Sequence, residues 1–392
     1  MRERSLLLIH PTDEAYGADR SLARLAIGLR DRGWRVRILL SDDGQPGWLT
    51  ERAREVGIPV SRGPLAPARR RYLTLSGLPT YLLRLMKARR WIHREVKSME
   101  PSIVLINTSA LLVGGLIGRP RGIRVVWYVR EIVVEPPLAR WLFRLVPALT
   151  GDLVLTVSQA ARRHLTPFGL RRSRVVAVWN AIEPRPAPAI GPRMDPPLVV
   201  FVGRLNRWKG YEVLVEAAAL LAEELPDLKF AIAGEPPSGE EWRTEALRED
   251  IERLGLTDRF EVLGFVPDGG SVFERATIAV VPSVWPEPFG GVTLEAMRAG
   301  APVIATAHGG SPEILQAGKF GVLIPPGDAF ALAGAIRRLM ADPALRTRLG
   351  AMGRRRVQEV FSAERSLERL DEVLTGLLSD NPRSAGEAVR LR

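Results

Sequence analysis

At 392 residues the chain exceeds one ordinary core and fits two domains of about 150 to 200 residues each. Its 46% hydrophobic and 26% charged residues exclude a disordered or fibrous protein, and the absence of cysteine excludes disulfides and thiolate metal sites. The net charge of +12 is uneven: residues 1–190 hold 32 Lys and Arg against 15 Asp and Glu, and residues 191–392 hold 24 against 29, so the first half calls for an anionic partner, whether nucleic acid, a membrane surface or a phosphorylated substrate.

The N-terminal apolar run Ser5–Ile9 is too short for a secretory signal and reads as a first strand. Further strands are expected at Arg35–Leu40, Ile103–Ile106, Arg124–Val129, Leu153–Val157 and Val175–Val178, with helices at Ala18–Asp31, Thr80–Met99 and Pro137–Leu149 between them. Leu111–Gly118, the longest apolar stretch, falls far short of the roughly 20 residues of a membrane span. The expectation is a cytoplasmic protein, soluble or peripheral at the inner face of the cell membrane.

From Arg62 to Lys97 the chain carries ten basic residues and one acidic, Glu95. Arg84, Lys87, Arg90, Arg94 and Lys97 recur at spacings of three or four, with Leu82, Leu85, Ile92 and Val96 opposite. Two readings stay open: a membrane-contact element that reaches an anionic lipid surface, or a surface helix packing its apolar face on the sheet.

Prolines crowd residues 183–197, which reads as a linker. Alternation then restarts, with strands at Leu198–Val202, Lys229–Ala233, Phe260–Leu263, Ile278–Val281, Val303–Ala305 and Gly321–Ile324. Helices are expected at Tyr211–Glu224, Glu240–Leu254, Gly291–Ala299 and Ala329–Met340. Strict strand–helix alternation in both halves predicts two doubly wound parallel sheets. The expected division is a first domain over 1–185, a linker over 186–197, a second domain over 198–361, a helix over 362–378 that can cross back to the first domain, and a flexible tail over 379–392.

Two constellations carry the chemistry. In Pro286-Glu287-Pro288-Phe289-Gly290-Gly291-Val292-Thr293-Leu294-Glu295, a glycine loop leads from a strand into a helix. Unpaired backbone N–H groups and the positive helix end meet there, which suits a phosphate or sugar hydroxyls, and Glu287 and Glu295 supply acceptors. A plain Gly-rich βα turn with a solvated Glu is the rival reading. The second, Gly203-Arg204-Leu205-Asn206-Arg207-Trp208-Lys209-Gly210, puts an Arg and a Lys at the carboxyl end of a strand, where ligands bind in open α/β sheets. Two ordinary surface cations are the alternative, although only five residues of the chain are Lys.

Spaced as they are, these stretches resemble the retaining glycosyltransferases of family 4, which have the GT-B fold. Glu287 to Glu295 matches the family's paired glutamates in a Pro-Glu-x-Phe-Gly setting, and Gly203 to Gly210 its Gly-Arg-Leu-x-x-x-Lys-Gly motif. Tyr16-Gly17-Ala18, Val157-Ser158, Trp179-Asn180-Ala181-Ile182, Gly264-Phe265-Val266 and Gly309-Gly310-Ser311-Pro312-Glu313 add weaker matches in the family's order. The resemblance implies two Rossmann-like domains facing across a cleft. It implies Arg204, Lys209 and Glu287 as catalytic residues, the two cations on the donor diphosphate and Glu287 on the transferred sugar. Phe289, Gly290 and Gly291 would offer backbone donors, Glu295 would hold the ribose, and Gly17, Gly203, Phe265, Val266 and Val292 would complete donor binding. The substrate would be a UDP- or GDP-linked sugar, the acceptor a glycan or lipid-linked hydroxyl, and no metal is expected because no Asp-x-Asp motif stands at a strand end.

The chain departs from the family where many members have a His near the end of the fifth strand: it has Tyr128-Val129-Arg130-Glu131. Arg130 cannot act as a base, so Arg130, Glu131 and Tyr16 are acceptor-side candidates without fixed roles. Transfer to a lipid-linked or polysaccharide acceptor leads. Transfer to a small soluble acceptor, an epimerase of the same fold, or a non-catalytic binding module are the alternatives. No nucleic-acid-binding signature stands out.

Overall fold

The computed structural model describes residues 3–14, 17–68, 77–117, 122–165, 175–183 and 195–379. The described residues up to Asn180, together with those from Glu364 on, form one compact unit, and Ala181–Ala363 form a second. The expected linker over 186–197 lies outside the described residues except for 195–197, as does the tail beyond Ser379.

In the first unit β1 (Ser5–His10), α1 (Gly17–Asp31), β2 (Arg35–Ser41), α2 (Trp48–Glu55), β3 (Val60–Gly63), α3 (Leu78–Met99), β4 (Ile103–Ile106), β5 (Arg124–Val129), α4 (Pro137–Thr150), β6 (Leu153–Thr156), α5 (Gln159–Leu165) and β7 (Val175–Ala177) follow one another. The seven strands pair in parallel in the order β3-β2-β1-β4-β5-β6-β7. Helices cover both faces of such a sheet, so its strands read as continuous apolar runs, and every residue of β1 and β4 is buried. Leu7, Ile9, Val104, Ile106 and Trp127 form a core with Leu85, Trp91, Ile92 and Val96 of α3.

The second unit runs β8 (Leu198–Val202), α6 (Tyr211–Leu220), β9 (Lys229–Ala233), α7 (Trp242–Arg253), β10 (Phe260–Gly264), α8 (Gly269–Glu274), β11 (Ile278–Val281), α9 (Gly291–Arg298), β12 (Val303–Thr306), α10 (Ser311–Ile314), β13 (Val322–Ile324), α11 (Ala329–Ala341) and α12 (Pro343–Val360). Its six parallel strands lie in the order β10-β9-β8-β11-β12-β13. Helix starts follow their caps: Asp328 accepts from Ala331 N at 2.8 Å at the head of α11, and Asp342 does the same for Leu345 N before α12, where Pro343 opens the helix.

The last helix, α13 (Ala363–Leu378), packs on the first unit. Trp34 Nε1 donates to Asp371 at 2.7 Å, Arg32 pairs with Glu364, and Leu367 lies so close over Gly28 that a Cβ there would overlap it.

Three differences from the sequence reading stand out. Strand β3 and helices α2, α5, α8 and α10 were absent from it; each is short, and β3 is a four-residue strand at the sheet edge. Helix α6 stops at Leu220 instead of running to Glu224, because the Leu221 and Ala222 amides turn back three residues to Ala218 and Ala219. On α3, Leu85, Ile92 and Val96 are buried, but Leu82, grouped with them by spacing, is 51% exposed, and Leu83 and Met86 are exposed as well.

Candidate active site

In each sheet the strand order reverses once, between β1 and β4 and between β8 and β11, the position at which open α/β sheets bind ligands. In the second unit the two sequence constellations leave from β8 and β11. The β8 loop is fixed by Gly203 N donating to Ala233 O at 2.9 Å and by Leu205 N to Glu235 O at 2.9 Å, with Leu205 fully buried. Gly210 closes this loop with φ +75, and a Cβ there would overlap the Pro282 carbonyl oxygen. Only glycine serves both conditions, so the loop is held against the chain that follows β11.

That contact brings together side chains 78 residues apart. Lys209 Nζ donates to Glu287 Oε1 at 2.7 Å, and the Ser283 hydroxyl donates to the same oxygen at 2.5 Å. Burial pushes the Glu287 carboxyl up, but the Lys209 ammonium, the Ser283 hydroxyl and the His308 ring outweigh it and hold it below the usual carboxylate range. Glu287 is an anion at neutral pH. Behind it Gly310 N donates to Glu287 O at 2.9 Å, and neither Gly309 nor Gly310 has room for a Cβ against the backbone of Glu287 and Phe289. Phe289 is buried, edge-on to Phe361 at 5.8 Å.

Gly290 turns the chain into α9 in the left-handed conformation, φ +103, and Gly291 begins the helix facing open space. Thr293 N and Leu294 N already donate to Gly290 O at 3.0 and 3.4 Å, so the N–H groups of Gly291 and Val292 are the ones that precede the first helical bonds and carry the positive end. Glu295 lies one turn into α9, its carboxylate beside Gly269 at the head of α8. Arg204 is exposed directly after Gly203, while Phe265, 51% exposed, and Val266 follow β10 on the same sheet edge. Trp208 and Trp285 stack at 5.7 Å with Arg207 over the Trp285 ring at 4.7 Å, flanking Lys209 and Glu287 in sequence.

In the first unit Gly17 opens α1 with open space at its Cα, and Tyr16 lies outside the described residues. The Glu131 carboxylate accepts from Thr108 Oγ1 at 2.5 Å, Ser109 Oγ at 3.0 Å, Ser109 N at 3.2 Å and Arg130 N at 3.1 Å. It ties the loop after β4 to that after β5, an arrangement that suits a structural clamp better than a proton carrier. Arg130 lies over the Tyr128 ring at 5.1 Å. At the β1 end, His10 meets Asp19 at 3.3 Å, Thr12 at 2.9 Å and Asn107 at 3.1 Å, a buried set the sequence reading did not use.

Sequence reasoning also missed Ser283 and His308. Neither belongs to a quoted motif: Ser283 meets Glu287 within the loop after β11, and the loop after β12 brings His308 beside them. Among the described residues no group of three or more His, Asp or Glu could hold a metal ion, and no helix is long and apolar enough to cross a membrane.

Residues 186–356 match the family described as glycosyl transferases group 1, and residues 15–185 match glycosyltransferase family 4. EpsD of Bacillus subtilis is 27% identical over 376 residues, covering 89% of this chain and 91% of that protein. A D-inositol 3-phosphate glycosyltransferase of Thermomonospora curvata is 36% identical over 252 residues, 59% of this chain and 58% of that protein. Among solved structures, Anabaena Alr3699/HepE in complex with UDP and glucose superposes with a TM-score of 0.77 at 22% identity, covering 95% of this chain and 100% of that one. Sucrose-phosphate synthase from Thermosynechococcus elongatus gives 0.77 at 24%, covering 96% and 100%. At these identities the likeness of the structures speaks for the fold.

Proposed function

Because this chain belongs to the GT-B glycosyltransferases of group 1 and family 4, we propose that it transfers a hexose from a UDP- or GDP-linked donor, with retention and without a divalent metal, to a hydroxyl of a lipid-linked or polysaccharide acceptor. The observation that carries this reading is the Lys209–Glu287–Ser283 cluster, set beside the start of α9 at the point where the strand order reverses. An ammonium has three donors, and Glu287 takes one, so Lys209 can serve a diphosphate without releasing the carboxylate. With Arg204 and the N–H groups of α9 it would stabilise the departing nucleoside diphosphate, which removes the need for a metal cation. Glu287 and Glu295, as fixed acceptors, would take hydrogen bonds from sugar and ribose hydroxyls.

In the proposed reaction the bond from the anomeric carbon to the phosphate oxygen breaks, and the acceptor oxygen bonds to the same face of that carbon. The departing phosphate oxygen takes the acceptor proton. A similar solved protein is described in complex with UDP and glucose, which favours UDP-glucose as the first donor to try. The first domain, to about residue 185, would bind the acceptor and the second, from about residue 198, the donor.

The first unit also supports an encounter with an anionic membrane. Leu78, Leu82, Leu83 and Met86 of α3 are each about half exposed, and Leu138, Trp141 and Leu149 of α4 are between half and two-thirds exposed. The two helices adjoin through residues 112–117, where Arg89 Nε donates to Leu116 O at 3.1 Å and Gly115 meets Val146 of α4. Lys87, Arg90, Arg94 and Lys97 stand exposed on α3, while Arg84 pairs with Asp43 at 3.1 Å. Apolar side chains set among cations match a surface of anionic lipid.

A thermal-shift panel of nucleoside diphosphates and their sugars, run in the presence of a chelator, identifies the donor by the rise in melting temperature. The product anomer is then read by NMR. Retention with activity in chelator is expected, and an inverted product or activity only with added metal would overturn the mechanism. Flotation with anionic liposomes tests the membrane part, which absence of binding at moderate salt would remove.

A further inference from the structure

We propose that His308 is a further donor-site residue, whose imidazole hydrogen-bonds a hydroxyl of the transferred sugar and so reads the sugar and not the nucleotide. The inference rests on the donor site proposed above. His308 follows β12, which pairs with β11 and ends beside the Glu287 loop. Thr306 Oγ1 donates to Ser283 O at 2.9 Å, His308 N donates to Thr306 O at 2.9 Å, and the next two residues back directly onto Glu287 and Phe289. The backbone that carries the ring is thus held against the Glu287 loop.

Both ring nitrogens of His308 are buried and have no hydrogen-bond partner among the described residues. Buried polar atoms are nearly always paired, so a ring with neither nitrogen satisfied calls for a ligand or a bound water, and its place at the Glu287 loop favours the ligand. The same loops hold two more such atoms, Asn206 Oδ1 in the β8 loop and Thr293 Oγ1 in the first turn of α9.

The chemistry of the ring selects the ligand. A neutral imidazole presents one donor and one acceptor. A phosphate oxygen only accepts and would satisfy one nitrogen at most. Sugar hydroxyls donate and accept, and two on one ring, or one with a bound water, satisfy both. With Lys209 and Arg204 serving the diphosphate, the sugar end is the part of the donor that fits His308.

The test is titration calorimetry of wild type, His308→Phe and His308→Gln with a nucleoside diphosphate and with its sugar conjugate, starting from UDP and UDP-glucose and, if neither binds, GDP and GDP-mannose. Phenylalanine keeps the ring and removes both polar atoms. Losing a ligand hydrogen bond should weaken binding of the nucleotide sugar about tenfold, with the nucleoside diphosphate changed less than about twofold. Glutamine, which keeps a donor and an acceptor, should recover part of the loss. The ligand-free His308→Phe protein should melt at or above the wild-type temperature, since the change deletes unpaired buried polar atoms. Equal weakening of both ligands, or no weakening of either, would overturn the assignment. Failure of the wild type to bind any donor of the panel would overturn the donor reading and this inference together.

Discussion

Replacing Lys209 by methionine keeps the unbranched stem, removes the ammonium and leaves the Glu287 carboxylate with Ser283 as its remaining side-chain donor. The ion pair is 2.7 Å long, with side chains 20% and 12% exposed, so its Coulomb energy at an effective dielectric of about 20 is about 6 kcal/mol before desolvation is subtracted. Breaking a fully buried pair by removing one partner costs about 3–5 kcal/mol. The residual exposure and the Ser283 hydrogen bond place Lys209→Met near the lower end, at about 2–3 kcal/mol. Glu287→Gln should cost less, about 1–2 kcal/mol, because the flexible lysine left behind can turn its ammonium to water. The double variant should then be more stable than the sum of the two losses by about 1–2 kcal/mol. Urea titrations followed by circular dichroism supply the four stabilities of this cycle. The Glu287 carboxyl lies below its ordinary value in the folded state, so its contribution is present above the unfolded carboxylate value and is lost as pH falls through the folded one. The gap between wild type and Lys209→Met should accordingly close on acidification below about pH 4.5. Single losses that add to within about 0.5 kcal/mol at neutral pH would refute a direct contact between the two side chains.

Gly210→Ala places a Cβ against the Pro282 carbonyl at a positive φ, and should cost about 2–4 kcal/mol while weakening nucleotide binding, both read from melting curves with and without nucleotide. His164 accepts from the Arg144 guanidinium, and burial together with Arg144 and Arg140 pulls it down to about 4. Stability should therefore be full above about pH 6.5 and decline as pH falls from there towards about 4, by no more than about 2 kcal/mol after screening of this half-exposed ring. His164→Gln should flatten that window in pH-dependent unfolding.

The parallel strands were legible because a sheet covered on both faces needs runs such as Ile103–Ile106 and Ile278–Val281, which little else in a soluble chain resembles. Strand β3, Val-Ser-Arg-Gly at an edge, offers neither an apolar run nor alternation, and its pairing with β2 supplies what its composition does not. On α3 the apolar positions form a band wider than one helix face can bury, so periodicity located the helix but assigned Leu82 to the inner side, whereas Tyr81, Leu85 and Ala88 turn inward. In the site, glycines at the two turns and the charged residues between them were readable from spacing. That Lys209 would meet Glu287, and that His308 would lie beside them, depends on which strands lie side by side, a property of the whole sheet, whereas the Ser283 contact depends on the fold of a single loop. Glu131 shows the converse: its place beside Arg130 was readable, but the four donors around it come mostly from a loop more than twenty residues away.

The return of the final helix sets an order of assembly. The first unit is the earliest to leave the ribosome, yet Trp34, Arg32 and Gly28 wait for contacts from residues 364–371, which are made only after all of Ala181–Ala363 has been synthesised. The later unit is contiguous in the chain and can close on its own. A truncation just after residue 363 should therefore unsettle the half of the protein most distant from it in sequence while sparing its immediate neighbour.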